Sequence, residues 1–292
     1  MTSQRFRCPR CGERVQEKSR CTLECEGCTY LFPILGGVPV LLPDALEWVG
    51  AYRESILACL VSDGQIMDDE VQLIQGISDL TPIDEALRFA KDWDSRELGK
   101  ANPSVEFQSN SRQLQRIEDH ERESGLYRTV EALTADLAGD VLEIGAGIGR
   151  LARSLVAVTR TICVLDNNLR PLVEGYDGLP GVQRVVGDAG ALPFVDEAYN
   201  AVIALNVVDL LESPEAFFAE AARVLGAEGI VVVSTPDPTL GIPDGDRGRM
   251  ARCISDYGFE VMTVEDDLLW TRRPQPHELQ VFTTQVVVAR RG

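Results

Sequence analysis

Short apolar runs recur between residues 140 and 234, and helical stretches separate most of them. The runs are Asp140–Ile144, Ile162–Asp166, Val182–Val186, Ala201–Leu205 and Ile230–Ser234. Each has the length of a strand, and Ile162–Asp166, Ala201–Leu205 and Ile230–Ser234 are nearly continuous in apolar residues, the pattern of strands buried on both faces. Strands that alternate with helices form a parallel sheet covered on both sides, because every crossover lays a helix against it. The predicted fold class is therefore α/β, with a doubly wound, mostly parallel sheet. No other feature of the chain restricts its architecture as tightly.

Two regions precede this one, giving units at 1–43, 44–100 and 101–292. The first is Cys-rich and ends in YLFPILGGVPVLLPD, where β-formers mix with Pro33, Gly36, Gly37 and Pro39, as in short strands joined by tight turns. The second reads as helical. Trp48, Tyr52, Ile56 and Leu60 repeat near the helical period, as do Val71, Ile74 and Ile77 after a break at Asp63-Gly64. A third short helix is predicted over Pro82–Lys91, capped by Thr81. The last unit opens with a polar linker over Ala101–Ser111 and a helix through Leu126–Ala138.

The formal net charge is −18, from 28 basic and 46 acidic residues. Such a surface repels phosphate backbones and anionic lipids, so RNA as a partner is disfavoured unless basic residues cluster locally. Arg5, Arg7, Arg10 and Arg14 form one such group, but Glu13, Glu17, Glu24 and Glu26 lie among them. No apolar stretch approaches the ~20 residues of a bilayer span, and the N-terminal MTSQRFRCPRCGER lacks an apolar signal core. The expectation is a cytoplasmic protein with no membrane partner. A homo-oligomer is compatible with these features.

Five of the eight Cys fall between residues 8 and 28. Cys8-x2-Cys11 and Cys25-x2-Cys28 are two knuckles separated by 13 residues. Each knuckle supplies two soft donors, and four donors complete the tetrahedron of a structural Zn2+ with no open position for catalysis. Cys21 is an alternative to Cys25, and four reduced thiols without metal are the alternative to the site as a whole. The segments CPRCG, CEGC and YLFPILGGVPVLLPD together resemble the small zinc-ribbon activator proteins that partner tRNA, rRNA and release-factor methyltransferases. Similar ribbons are fused in front of some rRNA guanine methyltransferases. This resemblance covers residues 6–43 and implies a fold and a neighbour rather than a substrate.

A second chemical signal is VLEIGAGIGRLA, a strand ending in Glu143, a Gly145-x-Gly147-x-Gly149 loop and a helix. The spacing differs from the Gly-x-Gly-x-x-Gly that seats a pyrophosphate, and Glu143 would repel a pyrophosphate but attract an amine or sulfonium. Asp166 ends the next strand, where a carboxylate accepts from both ribose hydroxyls. Asp188 follows the third strand, placed to accept from an adenine amino group. Three acids at successive strand ends suit a neutral adenosine joined to a charged amino acid. The bland alternative makes Asp166 and Asp188 ordinary turn residues.

Residues 139–234 resemble the class I S-adenosylmethionine-dependent methyltransferases. EIGAGIG, the acid of LDNN, GDAGALPF and YNAVIALNVVDLLESPEAFFAEAARVLGAEGIVVVS stand in that family's order. The resemblance implies a seven-stranded Rossmann-like sheet, with FEVMTVEDD and HELQVFTTQVVVAR as strands six and seven. It also implies S-adenosyl-L-methionine as cofactor, lined by Glu143, Gly145, Ala146 and Gly147 from the first loop. Asp166, Asn167, Asp188 and Ala189 follow from the next two strand ends, and Asn206 begins the loop facing the transferred methyl.

The acceptor is less constrained. The loop after strand four reads Asn206-Val207-Val208-Asp209, not the Asn-Pro-Pro-aromatic loop of enzymes that resemble this one and act on exocyclic amines. Asn206 and Asp209 are the catalytic candidates. Asp209 either orients or deprotonates a nucleophile or caps the next helix. Trp270 either walls an acceptor pocket, beside anion contacts from Arg272 and Arg273, or packs between the last strands. His120 and His277 read as surface residues, and Cys163 and Cys253 as core. The expected function is methyl transfer from S-adenosylmethionine to a small-molecule or peptide acceptor at oxygen, nitrogen or carbon. An RNA-base methyltransferase that uses the ribbon for recognition is the first alternative, and a non-catalytic scaffold the second.

Overall fold

The computed structural model of the chain describes residues 5–62, 67–77, 116, 120, 123–135, 137, 139–157, 159–176, 179–240, 246–275 and 278–292. The helix predicted over Pro82–Lys91, the linker Ala101–Ser111 and His277 lie outside the described residues.

The N-terminal unit is an antiparallel meander of β1 (Val15–Ser19), β2 (Thr22–Cys25), β3 (Leu31–Leu35) and β4 (Val38–Leu41). Gly36 and Gly37 turn β3 into β4 at φ 56° and 72°, a conformation that costs any residue with a Cβ. Helices α1 (Ala45–Ala51), α2 (Arg53–Ser62) and α3 (Asp68–Gly76) follow. One tie to the meander is a buried acid: Glu70 on α3 accepts from the Gly36 amide at 2.7 Å.

The remainder alternates as expected. Helix α4 (Leu126–Leu133) leads to β5 (Asp140–Ile144), α5 (Arg150–Leu155), β6 (Thr161–Asp166), α6 (Leu169–Glu174) and β7 (Val182–Gly187). Then come β8 (Tyr199–Leu205), a 3-10 turn at Val208–Leu210, α7 (Pro214–Val224) and β9 (Leu225–Thr235). Helix α8 (Arg249–Asp256) and the hairpin β10 (Phe259–Gln275) and β11 (Glu278–Arg291) end the chain. Helix α4 stops five residues before the expected Ala138, and at its end the Thr134 hydroxyl bonds back to the Val130 carbonyl at 2.7 Å.

The sheet order is β7-β6-β5-β8-β9-β11-β10. Strands β7 to β9 run parallel, while β11 is antiparallel to both β9 and β10. This is the mostly parallel Rossmann-like sheet expected, with the reversed hairpin at one edge. Every residue of β5 is buried, as a strand covered by helices on both faces requires. At the opposite edge β4 adds to β7 in parallel, with Val40 opposite Val186 and Leu41 opposite Gly187. The meander thereby continues the main sheet. The chain leaves β5 toward β6 on one side and reaches β8 on the other, so the switch point lies between β5 and β8. Open α/β sheets bind their ligands at such a point, outside the carboxyl ends of the strands.

Candidate functional site

The loop after β5 is shaped by its glycines. Gly145, Gly147 and Gly149 stand at φ 64°, 51° and 76°. A Cβ on Gly145 would lie 2.1 Å from the Val207 side chain, so this loop rests directly on the loop after β8. A Cβ on Gly149 would meet the Tyr176 ring at 2.7 Å. Gly147 differs, because among the described residues nothing lies within 4 Å of its would-be Cβ. The loop is thus packed at both ends and faces open space in the middle.

Two acids flank that opening. Asp166, at the end of β6, accepts from the Gly147 amide at 2.9 Å through Oδ2 and from the Asn168 amide at 2.9 Å through Oδ1. Glu143, on β5, is only 5% exposed, and its Oε2 has no donor among the described residues. Burial, reinforced by the Asp166 charge, pushes the Glu143 carboxyl up to about 8; the Ala152 backbone amide opposes the shift. A buried carboxylate oxygen without a donor is costly. A cation or a donor placed beside it would relieve that cost.

The other expected cofactor residues reach the same edge of the sheet. Ala146 is buried in the glycine loop, and Asn167 stands exposed beside Asp166. Asp188 follows β7 as an exposed residue and accepts from the Gly190 amide at 2.8 Å, with Ala189 buried next to it. Asn206 follows β8 at φ 54°, its amide bonded to the Ser234 carbonyl at 2.9 Å and its Oδ1 accepting from the Ser234 hydroxyl at 3.1 Å.

On the acceptor side, Asp209 sits in the 3-10 turn and accepts from the Thr235 hydroxyl at 2.8 Å. The reading of Asp209 as a helix cap does not hold. Ser213 caps α7, accepting from the Ala216 amide at 3.2 Å. Trp270 stacks on Phe282 across the β10–β11 hairpin with ring centroids 4.9 Å apart, which is the packing alternative. Arg272 is half-buried on the same strand, and the Arg273 side chain lies outside the described residues. His120 is exposed beside Ser124. Cys163 and Cys253 are buried, as core residues should be. Ser234, Thr235, Tyr176 and Val207 were not anticipated. The paired hydroxyls closing the run VVVST were the available signal for the first two.

The thiols of Cys8, Cys11, Cys25 and Cys28 converge, their sulfurs all within 4.8 Å of one another. Cys8 and Cys28 stand 3.8 Å apart and Cys11 and Cys25 3.4 Å. Four sulfurs about 2.3 Å from a zinc form a tetrahedron with edges of about 3.8 Å, so the set fits that ion. Cys21 is not in the cluster; its sulfur lies beside the hydroxyls of Ser19 and Thr22 at 3.6 and 3.7 Å. The alternative in which Cys21 replaces Cys25 therefore fails. Burial pushes the Cys8 thiol up to about 12, whereas backbone donation from Glu13 brings the exposed Cys11 thiol down to about 7.

Comparison with known proteins locates the similarity on this site. Residues 142–233 match the family model described as a methyltransferase domain. A protein named as a probable S-adenosylmethionine-dependent methyltransferase of Mycobacterium tuberculosis is 30% identical over 109 residues, covering 37% of this chain and 40% of the relative. A fatty-acid O-methyltransferase of Mycolicibacterium smegmatis is 32% identical over 127 residues, 42% of this chain and 46% of the relative. A demethylmenaquinone methyltransferase of Renibacterium salmoninarum is 31% identical over 113 residues, 38% of this chain and 48% of the relative. The chain spans less than half the length of each of these relatives. Over residues 142–233, where the glycine loop and its acids lie, this Rossmann-like α/β chain is similar to the methyltransferase-domain family.

Proposed function

We propose that the chain is a methyltransferase that takes a methyl group from S-adenosyl-L-methionine and delivers it to a small-molecule or peptide acceptor. The observation that carries this reading is the buried Glu143 oxygen, which has no donor among the described residues, set beside Asp166 and Gly147. A cationic, amine-bearing ligand satisfies that oxygen, and a dianionic pyrophosphate would not. When bound, S-adenosylmethionine supplies a sulfonium methyl for in-line displacement.

The residues have separable tasks. Asp166, oriented by the Gly147 and Asn168 amides, stands at the strand end where a carboxylate meets ribose hydroxyls. Glu143 holds the amino-acid end, and Asp188 with Ala189 borders the adenine. Asn206, pinned by Ser234, shapes the wall between donor and acceptor. Thr235 holds Asp209 Oδ1, so the other carboxylate oxygen is oriented to accept the proton of an acceptor O–H or N–H. Alignment and water exclusion supply the remaining catalysis.

A small acceptor fits better than RNA. Three of the four arginines between residues 5 and 14 are engaged within the chain. Arg5 bonds Asp140 at 2.7 Å, Arg7 bonds Asp196 at 3.2 Å, and Arg10 donates to the Pro43 carbonyl at 2.9 Å while lying over the Tyr30 ring. With a net charge of −18 behind them they make no phosphate track. The relatives named for a fatty acid and for demethylmenaquinone point the same way. The four Cys we read as a structural zinc site. Thiols held this way suit a reducing compartment, hence the cytoplasm. No helix among the described residues is long and apolar enough to cross a membrane.

The test is transfer of labelled methyl from S-adenosylmethionine to metabolite extract, peptides and rRNA offered in parallel. Label in the extract or the peptides is the expected result. Label in rRNA alone would reverse the choice of acceptor, and none in any pool would favour the scaffold reading.

A further inference from the structure

The segment 188–196, which carries Asp188 and Ala189 at the end of β7, is held from two sides. On one side α7 grips it. Glu220 accepts from the Leu192 amide at 2.7 Å, and Arg223 donates to the carbonyls of Leu192 and Phe194 at 2.9 and 2.7 Å. On the other side stand residues 5–7 of the Cys-rich unit. The Arg7 amide donates to the Pro193 carbonyl at 3.0 Å, and the Val195 amide donates to the Arg5 carbonyl at 2.9 Å. Phe6, between them, is fully buried against Phe194, which in turn sets its edge on Tyr199. The N-terminal unit also touches the start of the segment, since β4 pairs with β7 up to Gly187, the residue before Asp188.

We propose that Arg5, Phe6 and Arg7 are positioning residues for the cofactor: they clamp the 188–196 segment against α7, so that the adenine-facing Asp188 and Ala189 stay in place only while the Cys8–Cys28 cluster is closed. The coupling is short. Phe6 precedes the ligand Cys8 by two residues, and the Cys8 amide is itself bonded to the Glu13 carbonyl inside the knuckle. Opening the cluster frees the segment that carries Phe6 and, with it, one of the two walls of the 188–196 segment. The main force is the backbone ladder and the buried ring rather than charge. The Arg7–Asp196 pair joins side chains 35% and 67% exposed, and pairs of that kind contribute little. An unbraced segment must be ordered when the ligand binds, and that ordering lowers affinity.

This inference rests on the proposed cofactor reading, and its test separates the two. S-adenosylmethionine affinity is measured by titration calorimetry on the full chain as purified, after metal removal with a chelator, and in Phe6→Leu. Val288→Ala, a core change in β11 away from the segment, serves as the control for general destabilisation. Amide hydrogen exchange is followed at Ala191 and Val195. Phe6→Leu and metal removal are expected to weaken binding five- to tenfold and to speed exchange at both amides, while Val288→Ala changes affinity less than twofold. Affinity within twofold of the untreated chain in Phe6→Leu and in the metal-free, still folded protein would overturn the brace alone. Failure of the untreated chain to bind S-adenosylmethionine would overturn the cofactor reading and the brace with it.

Discussion

The backbone amide of Gly147 donates to the Asp166 carboxylate at 2.9 Å. This bond ties the glycine loop after β5 to the acid that ends β6, so the loop's open face and the acid are fixed as one surface. The two glycines nearest that bond answer to different constraints, and substitution distinguishes them.

Gly145→Ala drives a methyl into Val207, whereas Gly147→Ala meets nothing among the described residues. Both pay backbone strain of about 1–2 kcal/mol at positive φ. Only Gly145→Ala adds overpacking, about 1–3 kcal/mol more. Thermal unfolding should show Gly145→Ala clearly less stable than Gly147→Ala, while titration calorimetry shows S-adenosylmethionine binding impaired in both. Equal stability of the two variants would mean that the loops after β5 and β8 do not meet as described.

Glu143 makes stability and binding pH-dependent in opposite senses. Its carboxyl stands at about 8 in the folded chain against an ordinary 4.5. Its contribution to stability is therefore fully present below about 4.5 and is lost as pH rises through about 8. Glu143→Gln should flatten that part of the ligand-free stability profile in denaturant titrations. A cation beside Glu143 favours the ionised form, so binding near neutral pH should release a proton. Calorimetry in buffers of differing ionisation enthalpy measures it, and wild-type heats independent of buffer would refute the pairing of Glu143 with a cation.

The Cys assignment has a sharp outcome. Cys25→Ser should lower zinc content measured by elemental analysis, because its sulfur lies 3.4 Å from that of Cys11. Cys21→Ser should leave zinc unchanged. No zinc in wild-type protein purified without chelator would remove the metal from the account.

Asp209→Asn should lower kcat by about 10²–10⁴ if the carboxylate takes the acceptor's proton, with S-adenosylmethionine affinity unaltered. Thr235→Val, which removes the hydroxyl that holds Asp209, should cost about 1 kcal/mol, roughly fivefold in rate. Steady-state rates with the acceptor found by the transfer assay decide it. Full activity in Asp209→Asn would make that residue structural.

Much of this site is legible in the sequence because its determinants are local. The apolar runs mark the strands, and a strand end fixes where Glu143, Asp166 and Asp188 emerge. The knuckle spacing likewise identifies the four clustered thiols. What sequence reading missed is long-range. Arg5 meets Asp140 and Arg7 meets Asp196 across 135 and 189 residues, and no periodicity links such positions. The seating of β4 on β7 depends on an edge being left open by the rest of the sheet. Asp209 was ambiguous for the same reason. Its partner Thr235 lies 26 residues on, whereas the helix cap that competed for the assignment, Ser213, is four residues away.

The most direct test of the cofactor site is titration calorimetry of S-adenosylmethionine into the wild-type chain and Asp166→Ala. Charge-assisted hydrogen bonds contribute about 1.5–3 kcal/mol each, and about 1.4 kcal/mol is tenfold in affinity. Saturable binding by the wild type and at least tenfold weaker binding by Asp166→Ala are expected. Equal affinity in the two proteins, or a wild type that prefers a nicotinamide dinucleotide, would contradict it.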